Sequence, residues 1–402
     1  MHRYVKLIAT LAAVGASANV IRSPGRSLDS DLVTGFGSHP QVFESTGGQA
    51  LCVQGNVDVT ASTSLGLQFD FPIPANQSVV TGAVVEIIQT NSVFPEDVVT
   101  GLKTISGTYS INARMCFPKT NANFKSVQIL SHGIGFDKSY WDVAAGFSYV
   151  DDAASHGHIT FLYDRLGVGL SDHPDSIQVV QTSFEVAILH ELTQMLRSGY
   201  FSKLSFSKVT GIGHSYGSFV SIGQTVNYAK DLDGVILTGV SINTTGIPPF
   251  VAGLNPAIAT QNSPSRFKGL DNGYWVADSS IGNQLSFLRF PNFPPQNLEL
   301  AEATKQTATF GEIFTQGTVV APAVNFTGPV FVVNGANDLP FCDGDCTYPT
   351  DKAAQVLLLY PFAATGSTSY NVPDTGHGIN LHYSAQSAYE KINSFVEAHG
   401  LS

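Results

Sequence analysis

Apolar and polar positions change rhythm twice along this chain. Between about 51 and 120 the hydrophobic residues come in short alternating runs: Leu67-Gln68-Phe69-Asp70-Phe71, Ala83-Val84-Val85-Glu86-Ile87, and Thr108 to Cys116. Gly, Asn and Pro separate them, and a period of two with such punctuation predicts an antiparallel meander. From Val127 the runs become continuous. Val127-Gln128-Ile129-Leu130, Ile159-Thr160-Phe161-Leu162-Tyr163, Lys208-Val209-Thr210-Gly211-Ile212 and Val235-Ile236-Leu237-Thr238 read as buried strands. Phe184 through Leu192, with Met195-Leu196, has helical spacing, and the stretch after Ser215 reads as a helix. Strands and helices alternating at this interval predict an α/β protein, its mostly parallel central sheet covered by helices on both faces.

The alternation stops from about 242 to 325 and resumes at Pro329-Val330-Phe331-Val332-Val333. The interrupting block is rich in Pro, Asn and Gly and carries Phe250, Tyr274, Trp275, Phe287, Phe290 and Phe293. Such a block predicts a cap over the carboxyl ends of the strands, where open α/β sheets bind ligands. Most of its aromatics are expected to pack the cap, and a minority to line a pocket. The chain thus divides into an arm (19–50), a first part of the core (51–241), the cap (242–325) and a second part of the core (326–402).

Composition narrows the compartment and the partners. The 402 residues are 43% hydrophobic and 13% charged, so a large core is available and disorder is excluded. A net charge of −11 argues against nucleic acid or an anionic membrane as partner. No apolar run reaches eighteen residues, so no membrane span is expected. Residues 1–18 read as a secretory signal: Arg3 and Lys6, a short apolar run from Leu7 to Gly15, then Ala16-Ser17-Ala18. Sequons at Asn76, Asn243 and Asn325 then suggest a secreted, extracellular glycoprotein of eukaryotic type. Four cysteines fit that setting. Three pairings are possible, and Cys342 with Cys346, leaving Cys52 with Cys116, is preferred. His156 and His158 flank Gly157 and could share one face of a strand, but no metal site is expected.

The most informative segment is Gly213-His214-Ser215-Tyr216-Gly217, directly after a strand and before a helix. A sharp strand-to-helix turn leaves no room for side chains two residues either side of its apex. It lifts the Ser215 hydroxyl above the sheet edge, at a helix N-terminus. A serine needs a base, and the base needs an orienting group. Val330 to Asp338 reads as strand, turn and aspartate, and Tyr370 to Gly378 as a short strand followed by Gly376-His377-Gly378. The chain order Ser215, Asp338, His377 suits this topology. Asp343 and Asp345 lie close to Asp338 and compete with it on position alone. His382 is a rival to His377, expected on the following helix in a structural role.

With these pieces the sequence resembles the α/β-hydrolase superfamily, AB hydrolase-1 type, and within it secreted fungal serine esterase- or lipase-like hydrolases. The resemblance covers about 105–400 apart from much of the cap. It rests on Ser131-His132-Gly133-Ile134-Gly135-Phe136-Asp137, Asp164-Arg165-Leu166-Gly167-Val168-Gly169-Leu170-Ser171, the Gly213–Gly217 turn, Asn334 to Asp338, and Gly376-His377-Gly378. It implies Ser215 as nucleophile, His377 as general base and Asp338 as orienting acid. The backbone N–H groups of Tyr216 and Ile134, with Gly135 as the alternative to Ile134, would form the oxyanion hole. His132 would brace that loop, and Asp164-Arg165 would form a polar network at its strand end. Relatives that open epoxides or remove halide place aspartate at the turn, so serine here points to acyl transfer. The activity implied is hydrolysis of a small-molecule carboxylic ester or lactone, apolar or polyketide-like, without cofactor or metal. The same residues could serve amide, carbon–carbon or ring-forming chemistry in a small-molecule pathway, or a non-catalytic binding role. Nothing in the residues fixes a subunit count.

Overall fold

The computed structural model describes residues 31–120 and 123–402; the predicted signal segment lies outside them. The described residues contain twelve strands in chain order: β1 (Gln41–Glu44), β2 (Ala50–Phe69), β3 (Val99–Pro118), β4 (Ser126–Ser131), β5 (Ile159–Tyr163), β6 (Lys208–His214), β7 (Gly234–Thr238), β8 (Ala257–Ile258), β9 (Tyr274–Val276), β10 (Ala308–Thr309), β11 (Val330–Gly335) and β12 (Thr368–Val372). Nine of them form one sheet in the order β1-β2-β3-β5-β4-β6-β7-β11-β12. The six from β5 to β12 run parallel, and β1, β2 and β3 add an antiparallel edge.

The burial of each strand explains its composition. β4, β5, β7 and β11 are buried at every position, which is why they read as unbroken apolar runs. β2 alternates buried and exposed from Val57 to Thr63, one face on the core and one in water. The helix Thr182–Ser198 buries Phe184, Ile188, Leu192 and Leu196 and ends at Gly199 in the left-handed conformation. It packs against the helix Tyr216–Asn227, while Tyr149–Ser155 packs against Ala385–Ala398.

The antiparallel part differs from the expected meander in one element. Leu67–Phe69 and Thr108–Cys116 lie in β2 and β3, a hairpin of two twenty-residue strands paired from Ala50↔Pro118 to Phe69↔Val99. Ala83–Ile87, expected to be a strand, closes the helix Gln77–Ile87. Asn76 caps that helix by accepting the Val79 N–H, and Val80, Ala83 and Val84 form its buried stripe. The i, i+3, i+4 spacing outweighs the local alternation of Ala83 to Ile87. β1 also shows that the end of the predicted arm joins the sheet edge.

Between β7 and β11 the chain leaves the sheet and builds five α-helices, a short 3-10 helix (Gln316–Val319) and the small sheet β10-β9-β8. The β2–β3 connection packs onto this insertion. Gln77 donates to the Pro256 carbonyl at 2.9 Å and accepts the Ile258 N–H at 2.8 Å. Two disulfides are present. Cys52–Cys116 joins directly paired positions of β2 and β3, and Cys342–Cys346 closes a small loop beyond β11.

Candidate active site

Ser215 sits at the apex between β6 and the helix Tyr216–Asn227, with φ 57° and ψ −122°. A non-glycine residue rarely adopts this conformation, and the tight packing around the turn holds it there. A Cβ on Gly213 would lie 2.5 Å from the Gly217 carbonyl oxygen, and one on Gly217 would run into the Ser131 carbonyl. Only glycine lets β6, the helix and β4 approach this closely. The Ser215 N–H is tied to the Thr238 carbonyl at 2.8 Å.

From this apex a chain of hydrogen bonds runs inward. Ser215 Oγ lies 2.8 Å from His377 Nε2, and His377 Nδ1 lies 2.6 Å from Asp338 Oδ2. All three side chains are buried. Asp338 follows β11 and caps the short helix Leu339–Cys342, its Oδ1 accepting the Phe341 N–H at 2.9 Å. Its second oxygen is thereby left to face the imidazole. Asp343 and Asp345 take no part. Asp343 accepts from Asn243, Thr245 and Lys352, and Asp345 from Thr347. An imidazole fixed in this way can accept the serine proton while the carboxylate stabilises the imidazolium.

The loop holding His377 is braced by His382. This residue lies just before the last helix rather than on it. Its Nε2 accepts the N–H groups of Gly376 (3.1 Å) and Arg289 (2.9 Å), and its Nδ1 bonds the Gly378 carbonyl. Burial pushes this ring down to about 4, so it stays a neutral acceptor. His214 is also buried and pushed well below its ordinary value, by burial first and by His377 second. It stacks on Tyr140 at 4.4 Å. Around His377 stand the rings of Phe250, Phe287 and Phe341, at 5.6–5.9 Å between centroids. Phe250 and Phe287 thus flank His377, whereas Phe290 is exposed, Trp275 is buried, and Tyr274 reaches the core, its hydroxyl donating to the Pro174 carbonyl at 2.6 Å.

Ser215, Tyr216 and Ile134 border one gap, walled further by Ile247, Phe250, Val251, Ile313, Gln316, Pro340 and Phe341. The gap is about 20 Å³, room for roughly one water. The Tyr216 N–H is the first of its helix and has no acceptor within it. Ile134 lies on the loop after β4. His132 Nδ1 bonds the Gly133 carbonyl there at 2.9 Å, and His132 Nε2 accepts the Arg165 N–H at 3.1 Å.

Arg165 proves to be the centre of this loop's support. Its Nε donates to the His132 carbonyl and its Nη2 to the Gly133 carbonyl, while its guanidinium lies 4.4 Å from the centroid of the Tyr216 ring. It pairs with Glu185 and with Glu312 of the insertion, all three fully buried. Burial pushes Glu185 up to about 8; Arg165 opposes this and Glu312 adds to it. Gln306, also of the insertion, donates its N–H to the Gly135 carbonyl (3.0 Å) and its side-chain amide to Asp137 Oδ2 (2.7 Å). Pattern reading found neither Glu185, Glu312 nor Gln306. The one local signal was Thr309-Phe310-Gly311-Glu312, a capping box that starts the helix Phe310–Thr315.

The remaining expected residues fall elsewhere. Asn76 and Asn325 are exposed, while the Asn243 amide donates to Asp343 at 3.0 Å. His156 pairs with Glu397, and His158 is buried in β5's approach. Among the described residues no group of three or more His, Cys, Asp or Glu side chains is arranged to hold a metal. No helix among them is long and apolar enough to cross a membrane.

Residues 128–389 match the alpha/beta hydrolase family, and the chain belongs to that family. Among solved structures, it is similar to a thermophilic esterase from Thermogutta terrifontis, with 14% identity, TM-score 0.50, 73% of this chain and 95% of that one covered. It is similar to an epoxide hydrolase from Vigna radiata at 12% identity, TM-score 0.50, covering 72% and 95%. It also matches an enol-lactonase from Burkholderia xenovorans at 15% identity, TM-score 0.46, covering 72% and 97%. At these identities the likeness concerns the fold.

Proposed function

We propose that this protein is a serine hydrolase of carboxylic esters or lactones. The supporting observation is the continuous chain Ser215 Oγ–His377 Nε2–Asp338 Oδ2, at 2.8 and 2.6 Å, built on a strained turn. Ser215 attacks the substrate carbonyl as His377 takes its proton. The tetrahedral oxyanion is held by the N–H groups of Tyr216 and Ile134, donors of a kind worth about 2.7–4 kcal/mol each. His377 returns the proton to the leaving alcohol, and water then releases the acyl-enzyme by the same path. A hydroxyl rather than a carboxylate at the turn favours acyl transfer over epoxide opening. Secretion, carried by residues 1–18, and glycosylation at Asn76, Asn243 and Asn325 belong to the same reading.

The test is labelling of the purified protein with a fluorescent fluorophosphonate beside Ser215→Ala, with nitrophenyl esters of increasing acyl length. Labelling of the wild type alone, with loss of ester cleavage in Ser215→Ala, is expected. Unchanged cleavage by the variant would sink the proposal. The small apolar gap favours acetyl over octanoyl esters.

A further inference from the structure

A second cavity among the described residues lies away from Ser215. It has a volume of about 510 Å³ and opens beside the carboxyl ends of β4 and β5, between the sheet and the insertion. That volume lies in the range of small-molecule sites, and such sites favour interfaces between structural units. The wall contains Arg114, Lys138, Arg266 and Lys268 against Asp137 and Asp164. The chain as a whole carries 31 acidic and 20 basic residues, so a lining of four bases to two acids reverses its average.

The pairing of these charges decides what remains for a ligand. Lys138 Nζ lies 2.7 Å from Asp164 and Arg114 Nη1 lies 3.2 Å from Asp142, so both are matched. His173, also in the wall, is held below its ordinary value by burial and stays neutral. The carboxylate of Asp137 accepts from the Ser139 N–H and from Gln306. Among the described residues, no carboxylate lies within ion-pairing distance of Arg266 or Lys268. Asp137 has only neutral hydrogen-bond partners and its field reaches Arg266, so Arg266 and Lys268 set against it leave the wall with an excess of one positive charge.

Arg266 is also fixed in advance. Its guanidinium donates to the Ala303 carbonyl (2.9 Å) and the Lys305 carbonyl (2.8 Å), and it stands 4.9 Å from the Phe267 ring centroid. Arg114 is held likewise by Gln54 and Asp142 and lies 4.8 Å from the centroid of the Phe43 ring. A guanidinium already ordered loses little entropy when it binds an anion.

We propose that this cavity is a binding site for a compact anion, a carboxylate or a phosphate, separate from the gap at Ser215. Arg266 and Lys268 supply the charge, and Arg114 supplies a fixed donor edge. The site stands whether or not Ser215 is a nucleophile.

The test is calorimetric titration with citrate and with pyrophosphate at low ionic strength. It uses the wild type, Arg266→Ala/Lys268→Ala, Lys268→Ala and Ser215→Ala, with folding checked by circular dichroism. At least one anion is expected to bind saturably at one site. The double variant should weaken this about tenfold or more, and Lys268→Ala alone several-fold, on the scale of a lost charge-assisted hydrogen bond. Ser215→Ala should bind as the wild type does. Citrate binding alone would mark a carboxylate site, and pyrophosphate binding alone a phosphate site. The proposal is overturned if neither anion saturates by about 10 mM, well above common small-ligand affinities. It is equally overturned if both charge variants bind like the wild type, or if Ser215→Ala abolishes binding.

Discussion

Individual residues at this site are constrained by what would collide with them. Gly239 has φ +58°, and a Cβ there would stand 2.9 Å from the His214 ring and 3.0 Å from the His377 ring. Gly239→Ala is expected to displace the imidazole from Ser215 and lower the fluorophosphonate labelling rate about 100-fold, since small misplacements at a reacting centre cost that much. Gly82 is the contrasting case, an exposed helical glycine with nothing near its Cβ position. Gly82→Ala should raise stability by about 0.5–1 kcal/mol and leave labelling unchanged.

Buried titrating groups set opposite pH limits. His132 and His214 are pushed well below their ordinary value by burial, and His158 and His382 to about 4. The unfolded chain therefore binds more protons as pH falls below about 6.5, and stability drops on that side. Glu185 works in reverse. Its folded value of about 8 lies above its unfolded one, so it favours the fold at low pH, and this contribution is lost as pH rises from about 4.5 through 8. Glu185→Gln should keep the Arg165 contact and flatten the alkaline fall in melting temperature. An unchanged alkaline limb in that variant would show that Glu185 is not its cause.

At the scale of elements, the stretch from Lys305 to Glu312 acts as a strap. Gln306 holds Gly135 and Asp137, Thr307 donates to the Gly167 carbonyl at 2.6 Å, the Gly311 N–H reaches the Ser176 carbonyl, and Glu312 meets Arg165. Gln306→Ala keeps the backbone N–H to Gly135 and removes only the amide bond to Asp137, so it is expected to lower kcat only about two- to tenfold with little change in KM, on the scale of one lost hydrogen bond. Asp137→Asn keeps an acceptor for Gln306 and should stay near wild type. The strap was invisible to pattern reading because its partners are distant in sequence and its apolar spacing is irregular. The strands were legible for the opposite reason: β4, β5, β7 and β11 are buried throughout, so their composition records their position. Ala83–Ile87 misled because five alternating residues fit both periods, and only Asn76 and Val80 upstream resolve them.

For the whole molecule, the site was more legible than its surroundings. The glycines at 213 and 217, the aspartate after β11 and the histidine after β12 are fixed by the local geometry of strand ends. Their types and order therefore survive in one dimension. The walls of the gap come from the insertion, the Leu339–Cys342 helix and the β4 loop, and no spacing rule links them. Cys52–Cys116 spans 64 positions, and its closure is worth about 4 kcal/mol by loop entropy. Cys342–Cys346 spans only 4 positions, nearer about 2 kcal/mol by the same relation, but it lies against the Asp338 helix. Replacing Cys342 and Cys346 by alanine should cost less melting temperature than replacing Cys52 and Cys116. It should nevertheless cost more labelling.

The strap bears on how such proteins can be recombined. Transplanting the block between β7 and β11 from a relative would exchange more than the walls of the gap. Where the donor block has no carboxylate in place of Glu312, the exchange would remove one of the two carboxylates facing Arg165, and the recipient sheet would inherit a new specificity on a misaligned chemical centre. A viable chimera would have to keep residues 305–312 with their own core, placing its junctions inside the insertion rather than at its ends.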